Sequence, residues 1–212
     1  MSKNTNYEKH QWLKWAQKLQ FAAQNGLTFT DDYYDRLRYN EVLEVAAEIL
    51  ASYSEAEFET IKQFFNREKG YLTPKVDVRG AVFKNDRILL VREVSDGLWT
   101  LPGGWADIHD SPAKNVEREI WEESGFETKA TKLTMVYDRD LHGHPHVPYY
   151  VYKLFFLCEI TGGAPKISVE TSAVEFFEMD ALPELSESRN TEAQIRRVFE
   201  HYKNPALPTD FD

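Results

Sequence analysis

The spacing of apolar residues changes once along the chain, near Pro74, and that change limits what the chain can fold into. Before it, Trp12, Trp15, Ala16, Leu19, Ala22 and Ala23 recur every three or four residues, the period of a helix with one buried side. Gly26 is placed to end that helix in left-handed geometry. Thr30 or Asp31 can cap a second helix carrying Tyr34, Leu37, Val42, Val45, Ala46, Ile49 and Leu50. Ser54 and Glu57 have capping-box spacing ahead of Phe58, Ile61, Phe64 and Phe65, with Gly70 as the stop. Three helices with one apolar stripe each predict a small all-helical domain, a bundle or docking arm, over residues 1–70. A unit of that size is marginal alone and is expected to pack on something.

After Pro74 the period falls to two. Val76, Val78, Gly80 and Val82 alternate with Asp77, Arg79, Ala81 and Phe83, then Lys84-Asn85-Asp86 offers a turn. Ile88–Val91 reads as a second strand and Ser95-Asp96-Gly97 as a second turn. Strand-like runs recur at 132–137, 149–160 and 173–177, interrupted by helices at 111–124 and 191–203. Strands interleaved with helices predict an α/β (α+β) layered domain over residues 71–212.

The balance of 25 basic against 35 acidic residues gives a net charge of −10. Such a surface repels polyphosphates unless cations cluster locally or a metal intervenes. No basic stripe marks the region before Gly70, where eleven acids face nine bases, so DNA is not an expected partner. RNA would need local charge that the composition does not reveal. Cys158 is the single cysteine and excludes an intrachain disulfide framework. The longest apolar run, 154–158, is far short of a membrane span, and the first ten residues lack an apolar signal region. A cytoplasmic location is expected.

The chemistry concentrates between Leu101-Pro102-Gly103-Gly104 and Phe126. Ser111 suits an N-cap, Pro112 the first helical position and Gly125 the stop. Within that helix Glu119, Glu122 and Glu123 fall at i, i+3 and i+4, stacking three carboxylates on one face where like charges repel. A hard divalent cation turns that repulsion into ligation. Arg118 is placed to pair with one of them. An exposed acidic helix is the commoner meaning of such a cluster in isolation; the twin glycine and the spacing decide otherwise here.

Gly104, five residues, Asp110, seven residues, Arg118-Glu119-Ile120, Glu122-Glu123 and Gly125-Phe126 closely resemble the Nudix box, G-x5-E-x7-R-E-U-x-E-E-x-G-U. Six fixed positions match, a coincidence of roughly one in ten million per window at residue frequencies of about 5–7%. Asp110 replaces the first glutamate with a shorter arm, which bears on the support of Arg118, and Phe126 replaces an aliphatic residue.

The resemblance implies an α/β/α sandwich with a mixed sheet, holding Mg²⁺ or Mn²⁺ through Glu119, Glu122, Glu123 and the Gly103 carbonyl. It implies hydrolysis of a nucleoside diphosphate linked to another group X, with Glu122 and Arg118 in the catalytic set. The general base in such enzymes often lies outside the box; Glu170 is the first candidate and Glu175 the second. The junction at 70–79, the segment at 101–107 and the run at 182–186 look like a subgroup with a helical N-terminal domain, which includes CDP-choline and ADP-ribose pyrophosphatases. A CDP-choline-like substrate, giving NMP and phospho-X, is placed first and ADP-ribose second, with RNA cleavage at the same metal site or a nucleotide-sensing regulator as further alternatives.

Arg79 and Arg92 are candidate phosphate clamps, since a guanidinium grips two phosphate oxygens. Trp105 can stack a base or face a quaternary amine, whereas Trp99 reads as core. His142, His144 and His146 alternate as a transition-metal site would, although a solvated or substrate-contacting loop is the plainer reading. Apolar stripes on the helical extension lead us to expect a homodimer.

Overall fold

The computed structural model describes residues 11–53, 57–67, 69–145, 147 and 150–212. The chain divides into two compact units, Met1–Thr73 and Pro74–Asp212. The first contains α1 (Gln11–Phe29), α2 (Tyr33–Tyr53) and α3 (Phe58–Arg67) around Leu13, Ala16, Ala46, Ala47, Leu50, Ile61 and Phe65. Helix α1 does not stop at Gly26 but runs on to Phe29. Gly26 serves close approach instead: a Cβ there would lie 2.3 Å from the Tyr39 ring. The buried face of α1 is Leu13, Ala16, Gln17, Gln20, Ala23 and Gln24, so Trp15 from the expected stripe is 56% exposed. Apolar spacing cannot show that glutamines take the inner arc. Asp32 caps α2, its Oδ1 accepting from the Asp35 amide at 2.9 Å, in place of Thr30 or Asp31. Ser54, from the expected capping box, lies outside the described residues.

The second unit is an α/β/α sandwich. Its strands are β1 (Lys75–Lys84), β2 (Arg87–Glu93), β3 (Trp99–Thr100), β4 (Phe126–Asp138), β5 (Val151–Gly163), β6 (Thr171–Phe177) and β7 (Asp210–Phe211), with helices α4 (Pro112–Ser124) and α5 (Glu192–Lys203). The sheet order is β3-β2-β1-β5-β4-β7, with β6 paired to β2. It is mixed, because β1 pairs parallel with β5 and β4 parallel with β7 while the other pairs are antiparallel. Asn85 and Asp86 both take positive φ (52° and 60°), forming the two-residue turn that joins β1 and β2. Residues 77–82 of β1 are buried without a break, since helices cover both faces of the sheet.

Helix α4 packs Val116 and Ile120 on Val78, Val82 and Leu89. On the opposite face, Ile195, Val198 and Phe199 of α5 pack on Ala81, Ile88, Leu90 and Phe155. Strand β4 begins six residues before the alternating run at 132–137, because Phe126–Thr131 is mostly polar and pairs on the strength of β5 alongside it.

Gly80 decides how closely α4 can lie on β1. A Cβ there would meet Ile120 Cδ1 at 2.4 Å and Val116 Cγ2 at 3.0 Å. Gly80→Ala is expected to lower the stability of the second unit by about 1–3 kcal/mol through overpacking. Urea unfolding with unchanged midpoint would show that α4 tolerates the displacement.

Candidate active site

Segment 102–106 runs beside β1: the amides of Val78 and Gly80 donate to Gly104 O and Pro102 O, and the Ala106 amide to Val76 O, each at 2.8 Å. This places the twin glycine between the first strand and the acidic face of α4. At Gly103, with φ 141°, a Cβ would sit 2.0 Å from Val78 O; at Gly104 it would sit 2.9 Å from Glu119 Oε2. Side chains at either position would fill the space the backbone and Glu119 occupy. The Gly103 amide donates to Glu123 Oε2 at 2.9 Å.

Helix α4 starts as the sequence predicts. Ser111 accepts from the Lys114 amide, Pro112 is the first helical residue and Gly125 closes the helix with φ 77°. Asn115, fully buried, ties the preceding loop to the helix: its Oδ1 accepts from the Asp107 amide (2.8 Å), and its Nδ2 donates to Asp107 O and Asp110 O. Arg118 lies between four oxygens, Asp107 Oδ2 (2.9 Å), Asn115 Oδ1 (3.1 Å), Glu119 Oε1 (2.9 Å) and Glu122 Oε2 (2.8 Å). Asp107, rather than Asp110, is therefore its outer carboxylate partner.

A cleft of ≈530 Å³ opens on this face, and Gly103, Gly104, Trp105, Glu119, Glu123, Glu170 and Arg79 line it. Glu122 and Arg118 do not line it; Arg118 joins Glu122 to the lining residue Glu119. Glu170 is held by its backbone: its amide donates to Ser168 Oγ (3.1 Å) and its carbonyl accepts from Val94 (2.8 Å). Next to it, Thr171 Oγ1 donates to Glu123 O at 2.8 Å, joining the loop to the end of α4. Glu175 is exposed on β6 and does not line the cleft; nor does Arg92, whose Nε donates to Gly97 O at 2.7 Å. Arg79 lines the cleft but is itself gripped: Nε and Nη2 donate to the two oxygens of Asp77 (3.0 and 2.8 Å), and Nη1 to Leu101 O (3.1 Å). Trp105 lines it at 48% exposure, and Trp99 packs edge-on against Phe177 in the core.

Burial pushes the Glu123 carboxyl up to about 8; Arg79 and the Gly103 amide oppose the rise, and Glu93 and Glu119 add to it. Glu119 is raised for the same first reason. Among the described residues no three of His, Cys, Asp and Glu are gathered tightly enough to hold a metal ion. Arg118 draws Glu119 and Glu122 together while the Gly103 amide takes Glu123. The donor set nonetheless fits a hard divalent cation: these are oxygen ligands whose negative charge burial and mutual repulsion penalise, and a cation relieves both.

Asp77, Glu93, Asp107, Arg139, Lys153 and Arg189 also line the cleft and escaped the sequence reading. Asp77 and Lys153 are a cross-strand pair of the parallel β1–β5 register, a contact invisible without the pairing. Glu93 reaches the cleft from the end of β2, where Arg189 Nε lies 3.1 Å from its Oε1. Arg189 also donates to Asp96 Oδ2, fastening the turn after β2 to segment 186–190. A strand-end carboxylate gives no signal in a period-two pattern.

The two described histidines of this run, His142 and His144, have different partners. His142 stacks on Tyr137 and lies 2.9 Å from Asp212 Oδ1, while His146 is outside the described residues. His144 is buried with Nδ1 2.7 Å from Glu187 O and Nε2 2.9 Å from Gln194 Nε2. A carbonyl only accepts, so Nδ1 carries the proton and Nε2 accepts from the amide; the neutral ring satisfies both contacts.

Residues 10–65 match a family described as "UDP-X-like, N-terminal oligomerisation domain", and residues 73–201 match the NUDIX domain. The chain belongs to the Nudix hydrolase family and is a Nudix pyrophosphohydrolase. It is 48% identical over 201 residues to the Bacillus subtilis (strain 168) protein named "Putative ADP-ribose pyrophosphatase YjhB", covering 95% of this chain and 97% of that one. Among solved structures it resembles an ADP-ribose pyrophosphatase from Streptococcus suis, with TM-score 0.61 and 40% identity over 66% of this chain and all of that one. It also resembles a UDP-X diphosphatase, with TM-score 0.62 and 31% identity over 95% and 98% of the two chains.

Burial holds the His144 pKa down at about 4, against the Glu187 carbonyl. The unfolded chain therefore binds this proton from about pH 6.5 downward, before the folded chain does, so stability falls as pH drops through that window. Between pH 7 and pH 5 the loss is expected to be about 2 kcal/mol from this group. Urea midpoints at the two pH values should lie further apart for the natural chain than for His144→Gln; equal separations would remove His144 as the cause.

Proposed function

We propose that this chain hydrolyses the diphosphate bond of a nucleoside diphosphate linked to X, with ADP-ribose the first candidate substrate. The observation that carries the reading is the cleft lined together by Glu119 and Glu123 of α4, the twin glycine and Glu170. The sequence alone placed CDP-choline first; similarity along nearly the whole chain to a relative named for ADP-ribose reverses that order. A cytoplasmic location accords with the single, free and buried cysteine.

Glu119, Glu122, Glu123 and the Gly103 carbonyl are the residues to hold Mg²⁺ or Mn²⁺. When bound, the ion neutralises the diphosphate and makes water a better nucleophile. Arg118 positions Glu119 and Glu122, which it already joins through one nitrogen. Glu170 accepts the proton of the attacking water as its oxygen bonds to phosphorus and the bridging P–O bond breaks. From ADP-ribose the products are AMP and ribose 5-phosphate. Glu170 can serve as base because its backbone is fixed while its side chain is exposed to the cleft.

The experiment is product identification with ADP-ribose, CDP-choline, UDP-sugars and short RNA, each with Mg²⁺ and with Mn²⁺. Glu122→Gln is expected to abolish the hydrolysis found, and Glu170→Gln to cut turnover by at least ~10²-fold, the range for loss of a general base. Near-normal turnover of Glu170→Gln takes that residue out of the role; no hydrolysis of any diphosphate refutes the reading.

We further propose that the chain is a homodimer formed through its helical unit. Trp15, Phe29, Tyr33, Tyr34 and Tyr53 are all more than half exposed there, more aromatic surface than a lone small bundle leaves in water. Light scattering at micromolar concentration should give twice the chain mass; a single species of 24.7 kDa would contradict this.

A further inference from the structure

The stretch before α5 brings Ser188 and Arg189 to the cleft and is firmly anchored there. Asn190, fully buried, accepts through Oδ1 from the Leu101 amide at 2.7 Å and from the Thr100 hydroxyl. The Arg189 amide donates to Ser186 O at 2.8 Å. From this base Arg189 spreads its guanidinium over one turn, residues 93–97. Nε lies 3.1 Å from Glu93 Oε1, Nη1 donates to Asp96 Oδ2 at 2.8 Å and Nη2 to Ser95 Oγ at 2.9 Å. Nη1 also donates to Ser186 Oγ, which itself donates to Asp96 Oδ2 at 2.7 Å. A planar fork can span several acceptors in this way, where a point charge could not.

The turn needs such a hold. Val94, Ser95 and Asp96 are exposed, so no apolar packing fixes them. The β2–β6 ladder shifts register between Arg92 and Glu93, just where the turn begins. Among the described residues every side-chain bond from 93–97 to another segment runs to Ser186 or Arg189. Burial pushes the Glu93 pKa up, and Arg189 is the foremost group opposing that rise.

The turn in its turn holds the candidate base. The Val94 amide donates to Glu170 O at 2.8 Å, while Thr171 fixes the other flank on Glu123 O. Among the described residues the Glu170 carboxylate has no hydrogen-bond partner of its own, so its direction is set by its backbone. We infer that Arg189 is a positioning residue for Glu170, holding the 93–97 turn so that the Val94 amide fixes the Glu170 backbone. The inference rests on the proposed role of Glu170 as base, but the tie itself can be read without turnover.

The first measurement is amide hydrogen exchange of the full chain, kept in EDTA. Arg189→Met is expected to speed exchange at Val94 and Gly97 at least ~10-fold while Ile120 in α4 stays within twofold. The second is steady-state kinetics with Mg²⁺ and the diphosphate that the natural chain hydrolyses. Arg189→Met should lower kcat at least ~10-fold and leave KM within threefold, since a base moved off its line costs turnover rather than affinity. Added to Glu170→Gln, the same substitution should cost less than twofold more, because it acts through Glu170. Near-ultraviolet circular dichroism checks that the variant is folded; if it is not, Asp96→Asn, which replaces the carboxylate facing Nη1, takes its place with the same expectations. Unchanged exchange at Val94, equal acceleration at Ile120, a raised KM with natural kcat, or full additivity with Glu170→Gln overturns the inference. If the natural chain cleaves no diphosphate, the hydrolase reading falls, and exchange at Val94 still decides the tie.

Discussion

The contact of Ile120 with the bare backbone of Gly80 sets where the α4 carboxylates of the cleft can lie. Because β1 has no side chain there, α4 rests directly on the sheet, and its next turn brings Glu123 to the Gly103 amide. Glu119 comes within reach of Gly104 by the same approach. Three glycines therefore act on one geometry: Gly80 admits the helix, Gly103 lets the facing loop close onto β1 at Val78, and Gly104 leaves room for Glu119. Buried carboxylates so placed are costly unless neutralised, and that cost is the physical opening for a cation.

Much of this was legible in the residues, and what was not has identifiable causes. Helix α4 could be bounded to within a residue because its signals are local: a serine cap, a proline and a left-handed glycine. Helix α1 misled because Gly26 signals a stop by type but is used for its lack of a side chain against Tyr39, a partner in another helix. The same limit applies in the cleft. Glu119, Glu123 and Glu170 were found from spacing and resemblance, whereas Asp77, Glu93, Lys153 and Arg189 meet only through strand pairing and a segment close to the end of the chain. Arg79 shows both sides at once, since it does line the cleft but spends its guanidinium on Asp77 and Leu101.

The arrangement also answers how a chain of net charge −10 can attract a diphosphate. Surface charge is averaged and screened over about 8–10 Å, but inside a cleft the nearest groups dominate. Here Arg79, Arg139 and Lys153 are buried and line the cleft, which places cations close to whatever enters it.

Asp77 and Lys153 stand 76 positions apart in the chain yet opposite one another across two parallel strands. Parallel neighbours of that separation cannot join until a long stretch of chain has closed into a loop, an entropic hurdle that makes such pairings late arrivals in folding. The hairpin of β1 and β2, closed by a two-residue turn, can form long before it. An early intermediate would thus carry Asp77 and Arg79 beside one another with Lys153 still in solvent. On the folding pathway, the charged cluster of Asp77, Arg79 and Lys153 would be complete only with the closing of the central sheet.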